Sequence, residues 1–186
     1  MTFAANAYAL ARGPATTSVG AGAVLDTDVD AVLGAADAVR QAVRRSPNDL
    51  AHALDADALD AARAALARAR EALTTATGLS AVAGDWIVAH QDRVRGAWSD
   101  GMALVGVLES AAGRHAEAVA ALQRVLEVEP LREGAHRALM QAHVAAGEPA
   151  RALAHYDALA ALLAREVGAR PARETQALAE RVRRGG

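Results

Sequence analysis

The chain has 186 residues, 20 of them basic and 22 acidic, and no cysteine. It fits one compact domain or two very small ones, and the missing Cys excludes disulfides, thiolate metal sites, Cys nucleophiles and iron–sulfur clusters. A net charge of −2 argues against a dedicated nucleic-acid binder, which normally shows a basic excess. Ala contributes 52 residues against 39 for Leu, Ile, Val and Phe together, and aromatic residues are 3%. Strand-favouring side chains are scarce and the best helix former dominates, so an all-α fold is expected. All 20 basic residues are Arg, a bias that GC-rich coding produces as readily as selection for bidentate contacts. The start, Met1 to Leu10, has no basic n-region, and no apolar run approaches the roughly 20 residues that span a bilayer. A soluble, cytoplasmic protein is expected, without contact to a membrane.

In chain order, residues 1 to 25 read as an arm: Tyr8-Ala-Leu10, a turn rich in Gly, Thr and Ser, then a second extended piece at Ala23-Val-Leu25. The pair Gly20 and Gly22 lacks the third glycine of a nucleotide loop. From Thr27 the pattern is helical: Val29, Val32, Leu33, Ala36, Val39 and Val43 recur at three and four, with Thr27 or Asp28 as N-cap and Pro47 as the stop. A second helix follows Asp55 or Asp57 and ends before Gly78. Asp85 caps a third that runs to Gly113, and its length suggests a break into two helices at Ser99-Asp100-Gly101. Helices then follow from Ala116 to Glu129 with Pro130 as stop, from Leu131 to Ala146, from Ala150 to Val167 with Gly168 and Pro171 beyond it, and from Ala172 to Arg184.

A repeat runs through the C-terminal half. Gly113-Arg-His-Ala116-Glu-Ala118-Val119 aligns with Gly147-Glu-Pro-Ala150-Arg-Ala152-Leu153 at an offset of 34 residues, the tetratricopeptide period. In that register Gly106 takes the small position of the first helix, Gly113 and Gly147 the turn, and Ala118 and Ala152 the close-packing position of the second helix. Leu122 and Tyr156 take the bulky position, and Pro130 ends the unit. Small residues let two backbones approach, and glycine enters the left-handed turn without a Cβ penalty.

From Ala103 to Val182 the text resembles the bacterial transcriptional activator domain of antibiotic-regulatory, SARP-type activators. The matching residues are Ala111 to Ala118; Pro130-Leu131-Arg132-Glu133 with His136, Leu139 and Met140; and Gly147, Ala150, Ala152-Leu153 and Tyr156. Leu163 to Pro171, with Glu166, Gly168 and Pro171 ahead of Glu174-Thr175, is the most family-specific stretch. Upstream, Leu25 to Val32 looks like that domain's acidic lead, and Gly84-Asp85-Trp86 like the Asp-Trp pair before its third helix. The resemblance implies a regulatory and oligomerisation module. In the family a winged-helix DNA-binding domain normally precedes it and ends in a strand much like Tyr8-Ala-Leu10, so a module without its own DNA reader is expected: a stand-alone form, a degenerate regulator or an excised piece.

No constellation for chemistry emerges. His136 and His143 share a helix face and His155 falls on the next helix, but no i+4 ligand pair accompanies them, so packed or half-exposed histidines are expected and no metal or other cofactor. There is no Gly-x-Ser-x-Gly elbow, and Asp92 reads as a solvated partner of Arg93 or Arg95. An enzyme is not expected. Trp86 and Trp98 read as gap-fillers between Ala-rich surfaces, Trp86 being the better candidate for a partner surface. The Arg44-Arg45 and Arg181 to Arg184 clusters suit helix C-termini.

The expected architecture is therefore about seven helices in antiparallel hairpins, a tetratricopeptide-like right-handed array over residues 26–186, preceded by an extended arm over 1–25. Its expected partners are proteins: a second copy in a homodimer, a DNA-binding regulator, or polymerase, met in a concave groove. The alternative is a small-molecule sensor with an Ala-lined cavity.

Overall fold

A computed structural model of the chain describes the backbone over residues 21–76 and 85–185, and side chains over 33–67 and 92–185. The arm as far as residue 20, Gly78 and Gly84 lie outside the described residues, as do the side chains of Asp85 and Trp86. The elements are α1 (Ala21–Arg45), a 3-10 turn (Leu50–His52), α2 (Ala56–Ala76), α3 (Asp85–Ala111), α4 (His115–Val128), α5 (Glu133–Ala145), α6 (Pro149–Val167) and α7 (Arg173–Gly185). The protein is all-α, with seven helices among the described residues.

Two boundaries differ from the sequence reading. Residues 23–25, expected to be extended, lie in the first turns of α1; Ala21, Ala23 and Leu25 are good helix formers, and the single Gly22 costs only about 1 kcal/mol. Thr27 and Asp28 consequently lie inside α1 rather than capping it. The expected break at Ser99-Asp100-Gly101 does not occur, and α3 runs unbroken through 27 residues. Gly101 serves close packing instead: a Cβ there would stand 3.0 Å from the Ala36 Cβ of α1. The choice between Asp55 and Asp57 is also decided, since the Asp55 carboxylate accepts the Ala58 amide at 2.7 Å, the N-cap geometry that satisfies a free helix donor.

Antiparallel hairpins follow from the turns. Gly113 (φ +79°) joins α3 to α4 and Gly147 (φ +77°) joins α5 to α6, both left-handed, and each turn returns an amide to the preceding helix, Arg114 to the Glu109 carbonyl and Glu148 to the His143 carbonyl, both at 2.8 Å. α5 packs on both α3 and α7, while α4 and α6 each pack beside their own hairpin partner. This gives an inner layer of α3, α5 and α7, with α4 and α6 on the outside, as in tetratricopeptide arrays. The N-terminal pair α1–α2 closes on α3.

The main core lies where α1, α2, α3 and α4 meet. Trp98, Leu59, Leu66, Met102 and Leu108 are almost wholly buried there, and the Trp98 indole N–H donates to the Leu66 carbonyl at 2.6 Å. Toward the C-terminus the cores are smaller: Ala118, Leu122, Leu139 and Ala142 between the hairpins, then Met140, Ala152, Leu178, Ala179 and Val182 under α7.

Candidate interaction surface

The repeat residues lie where the inner and outer helices approach closely. Gly106 is buried on α3, and a Cβ there would come within 2.6 Å of Leu122 Cγ on α4. Ala118 and Ala152 are fully buried at the corresponding points of α4 and α6, as is Leu122; Tyr156 is half-buried, its ring 5.3 Å from the Arg183 guanidinium of α7. Pro130 is exposed in the turn after α4, and its carbonyl accepts a hydrogen bond from His136 Nε2–H at 2.8 Å.

That bond fixes the chemistry of a histidine pair. With Nε2 of His136 committed as donor to a carbonyl, its Nδ1 accepts from His155 Nε2–H at 2.8 Å across the α5–α6 contact, and the two rings stack with centroids 4.9 Å apart. Both nitrogens of His136 are engaged, so neither is available to a metal. Burial, then the neighbouring His136 and His143, pushes His155 down to about 4. His143, buried one face-repeat along α5, donates from Nδ1 to Glu148 Oε2 at 3.0 Å; that hydrogen bond, more than the nearby Arg151, holds the Glu148 carboxyl below its usual range.

Polar contacts also brace the hairpins. Arg132 pairs with Asp100 of α3 and with Glu129 at 3.1 Å; burial opposes its charge, but the two carboxylates outweigh it and raise the guanidinium above its ordinary value. Leu131 beside it is 42% exposed. Glu109, wholly buried on α3, lies 3.4 Å from Arg63 Nη1 of α2 and against Arg114 Nε, in charge contacts rather than aligned hydrogen bonds. α7 is fastened to α5: Glu133 Oε1 accepts the Ala172 amide at 2.6 Å and Arg137 donates to Thr175 Oγ1 at 3.3 Å. The chain reaches α7 through Gly168 (φ +63°) and the buried Pro171, with Glu166 exposed before them. Asp92 pairs with Arg95 at 2.8 Å.

The histidine pair, the Glu133 tie and the buried Glu109 escaped the sequence reading. Each joins residues far apart in the chain, and only the 34-residue register, which lays α5 beside α6, hints at the first.

What the array leaves open follows from α5, which is packed by α3, α4, α6 and α7. Its exposed residues are Gly134, Gln141, Val144 and Ala145, small or uncharged, and their spacing places them on one stripe with the half-buried Arg137. Beside its end, Val144, Gly147 and Pro149 face Leu178, Arg181 and Val182 of α7 across a cleft of about 400 Å³. The arrangement offers a surface for a polypeptide. No helix among the described residues is long and apolar enough to cross a membrane. No curated protein and no solved structure matches the chain. The sequence model of the bacterial transcriptional activator domain matches residues 27–183, and the chain belongs to that family of transcriptional regulatory domains.

Proposed function

We propose that this chain is the non-catalytic interaction module of a transcriptional activator, working in the cytoplasm through self-association or by contact with a DNA-binding regulator or polymerase. The observation that carries the reading is the open stripe of α5, a path of small and uncharged exposed residues beside the half-buried Arg137, on an inner-layer helix whose other faces are packed. Helical arrays use such surfaces to hold a helix or strand of a partner. The buried ionisable groups among the described residues support it too: Glu109, His136 and His143 are each engaged in contacts that hold elements together. DNA reading by the module itself is not part of the proposal, since the net charge is −2 and several arginines are already paired to carboxylates.

The test tethers the chain to a heterologous DNA-binding domain upstream of a reporter. Gln141→Arg and Ala145→Glu, both at exposed positions, should cut activation at least about fivefold with helicity unchanged, as expected when a buried interface receives an unpaired charge. Activation indifferent to both would remove the inner-face assignment. Light scattering on the same variants separates self-association from contact with another protein. Sequence-selective, submicromolar binding of the isolated chain to duplex DNA at about 0.15 M salt would instead make it a DNA reader.

A further inference from the structure

The cleft between the end of α5 and α7 has a specific chemical character. Its walls are aliphatic, from Val144, Pro149, Leu178 and Val182, with Gly147 in the turn at one side, and its one ionisable group is Arg181. Val144 is 40% exposed although it lines an apolar surface. Arg181 has neither a hydrogen bond nor an ion pair among the described residues, unlike Arg183 on the same helix, which lies 3.7 Å from Asp157 and against the Tyr156 ring. Attraction to the helix C-terminus does not account for Arg181. The basic residues of the last turn are Arg183 and Arg184, and the macrodipole effect fades beyond that turn. The carboxylate at the start of α6 is not free to neutralise it either, because Glu148 is held by His143 and by Arg151 at 2.9 Å.

We infer that this cleft is an anchor site for a partner polypeptide that inserts one bulky aliphatic side chain and presents a flanking carboxylate to Arg181. A volume of about 400 Å³ is at the small end for a drug-sized ligand but suits a single anchoring side chain. Val144 also belongs to the open stripe of α5, so a bound chain can continue past the cleft along that helix. The charge selects the occupant: an unpaired guanidinium beside aliphatic walls favours an acidic segment over a basic or neutral one. The inference rests on the reading of the domain as a binding module, and the two fail separately, because the tethered reporter measures the module and the peptide titration below measures the cleft alone.

The experiment titrates the full chain with a short synthetic peptide carrying one Leu flanked by Asp residues, followed by backbone amide NMR shifts. Saturable shifts at Gly147, Leu178 and Val182 are expected, with affinity falling as salt is raised. Arg181→Glu should weaken binding at least about tenfold, and Val144→Asp similarly, since removing one charge partner or charging an apolar wall costs that much at a desolvated contact. Both positions are exposed, so neither variant should alter helicity. A control peptide with Asn for each Asp should bind about tenfold more weakly. The inference is overturned if the acidic peptide does not shift those amides, if Arg181→Glu and Val144→Asp bind within about twofold of the parent, or if the Asn peptide binds equally well. Displacement of the peptide by an apolar small molecule but not by unlabelled acidic peptide would also overturn it, in favour of an effector pocket.

Discussion

The two ends of the molecule are held together differently. Around Trp98, four helices bury large side chains in one continuous core, and a single indole hydrogen bond is embedded in it. Around Ala152 and Ala179 the helices approach on small residues, and the apolar cluster is slight. The shortfall there is offset by directed polar ties: the His136–His155 pair, the His143–Glu148 bond, and the Glu133 carboxylate on the amide of Ala172. Burial of large residues tolerates approximate geometry but not lost volume. Helices spaced by Ala give up volume for proximity and tolerate no added bulk.

The sharpest way to break this contrast is Trp98→Ala, which removes the largest buried side chain among the described residues and its hydrogen bond to the Leu66 carbonyl. It should cost about 3–5 kcal/mol in denaturant unfolding, and a loss below about 1.5 kcal/mol would show that the core does not depend on it. The converse insult belongs to the Ala-spaced contacts. Ala118→Leu and Ala152→Leu should each cost about 1–3 kcal/mol by overpacking, whereas Ala154→Leu, at an exposed site on the same helix as Ala152, should stay within about 0.5 kcal/mol. Equal stability for all three would dissolve the repeat assignment.

The polar ties add a pH dependence. Unfolded, the His155 imidazole takes its proton near the ordinary imidazole value of 6.5, but folded only near about 4. Between those values the unfolded chain holds more protons, so stability is complete above 6.5 and falls as pH drops through this window. The ring is partly solvated, which reduces the expected loss to about 1 kcal/mol. Melts between pH 7 and pH 4 should show the decline, and His155→Gln should flatten it. Glu148 acts lower: its contribution is present above its unfolded value of 4.5 and is lost as the carboxylate protonates. The smallest effect expected is that of Glu133→Gln, which keeps an acceptor for the Ala172 amide but removes its charge. A loss of about 0.5 kcal/mol, with faster amide exchange confined to α7, would locate the tie; no change in exchange would show that α7 is held by its apolar face alone.

How much of this was legible depends on the range of the interaction. The helices, the Asp55 cap and the turn glycines are local, and an offset of 34 residues placed Gly113 and Gly147 where the chain turns left-handed. Gly101 was misread because sequence alone does not say whether a glycine breaks a helix or admits a neighbour, here Ala36 of α1. The start of α1 was misread because the turn signals of the Gly-, Thr- and Ser-rich stretch before it were carried on into Ala23-Val-Leu25. The cleft was invisible: Val144 sits in an ordinary helical period, and Arg181 belongs to a cluster that the sequence reading assigned to helix-end electrostatics. Only the absence of a counter-ion among the described residues separates it from Arg183, which lies 3.7 Å from Asp157.

Glu109 has a mechanical consequence. Its carboxylate is wholly buried between Arg63 of α2 and Arg114 of the turn that follows its own helix, so sliding the N-terminal helix pair along the repeat would take Arg63 away from a charge held inside the protein, which is costly. Shear between the two halves is therefore the expensive deformation and rotation as one body the cheap one. A load applied by a partner at α7 would reach α1 as a change of orientation, as torque passes through a keyed shaft.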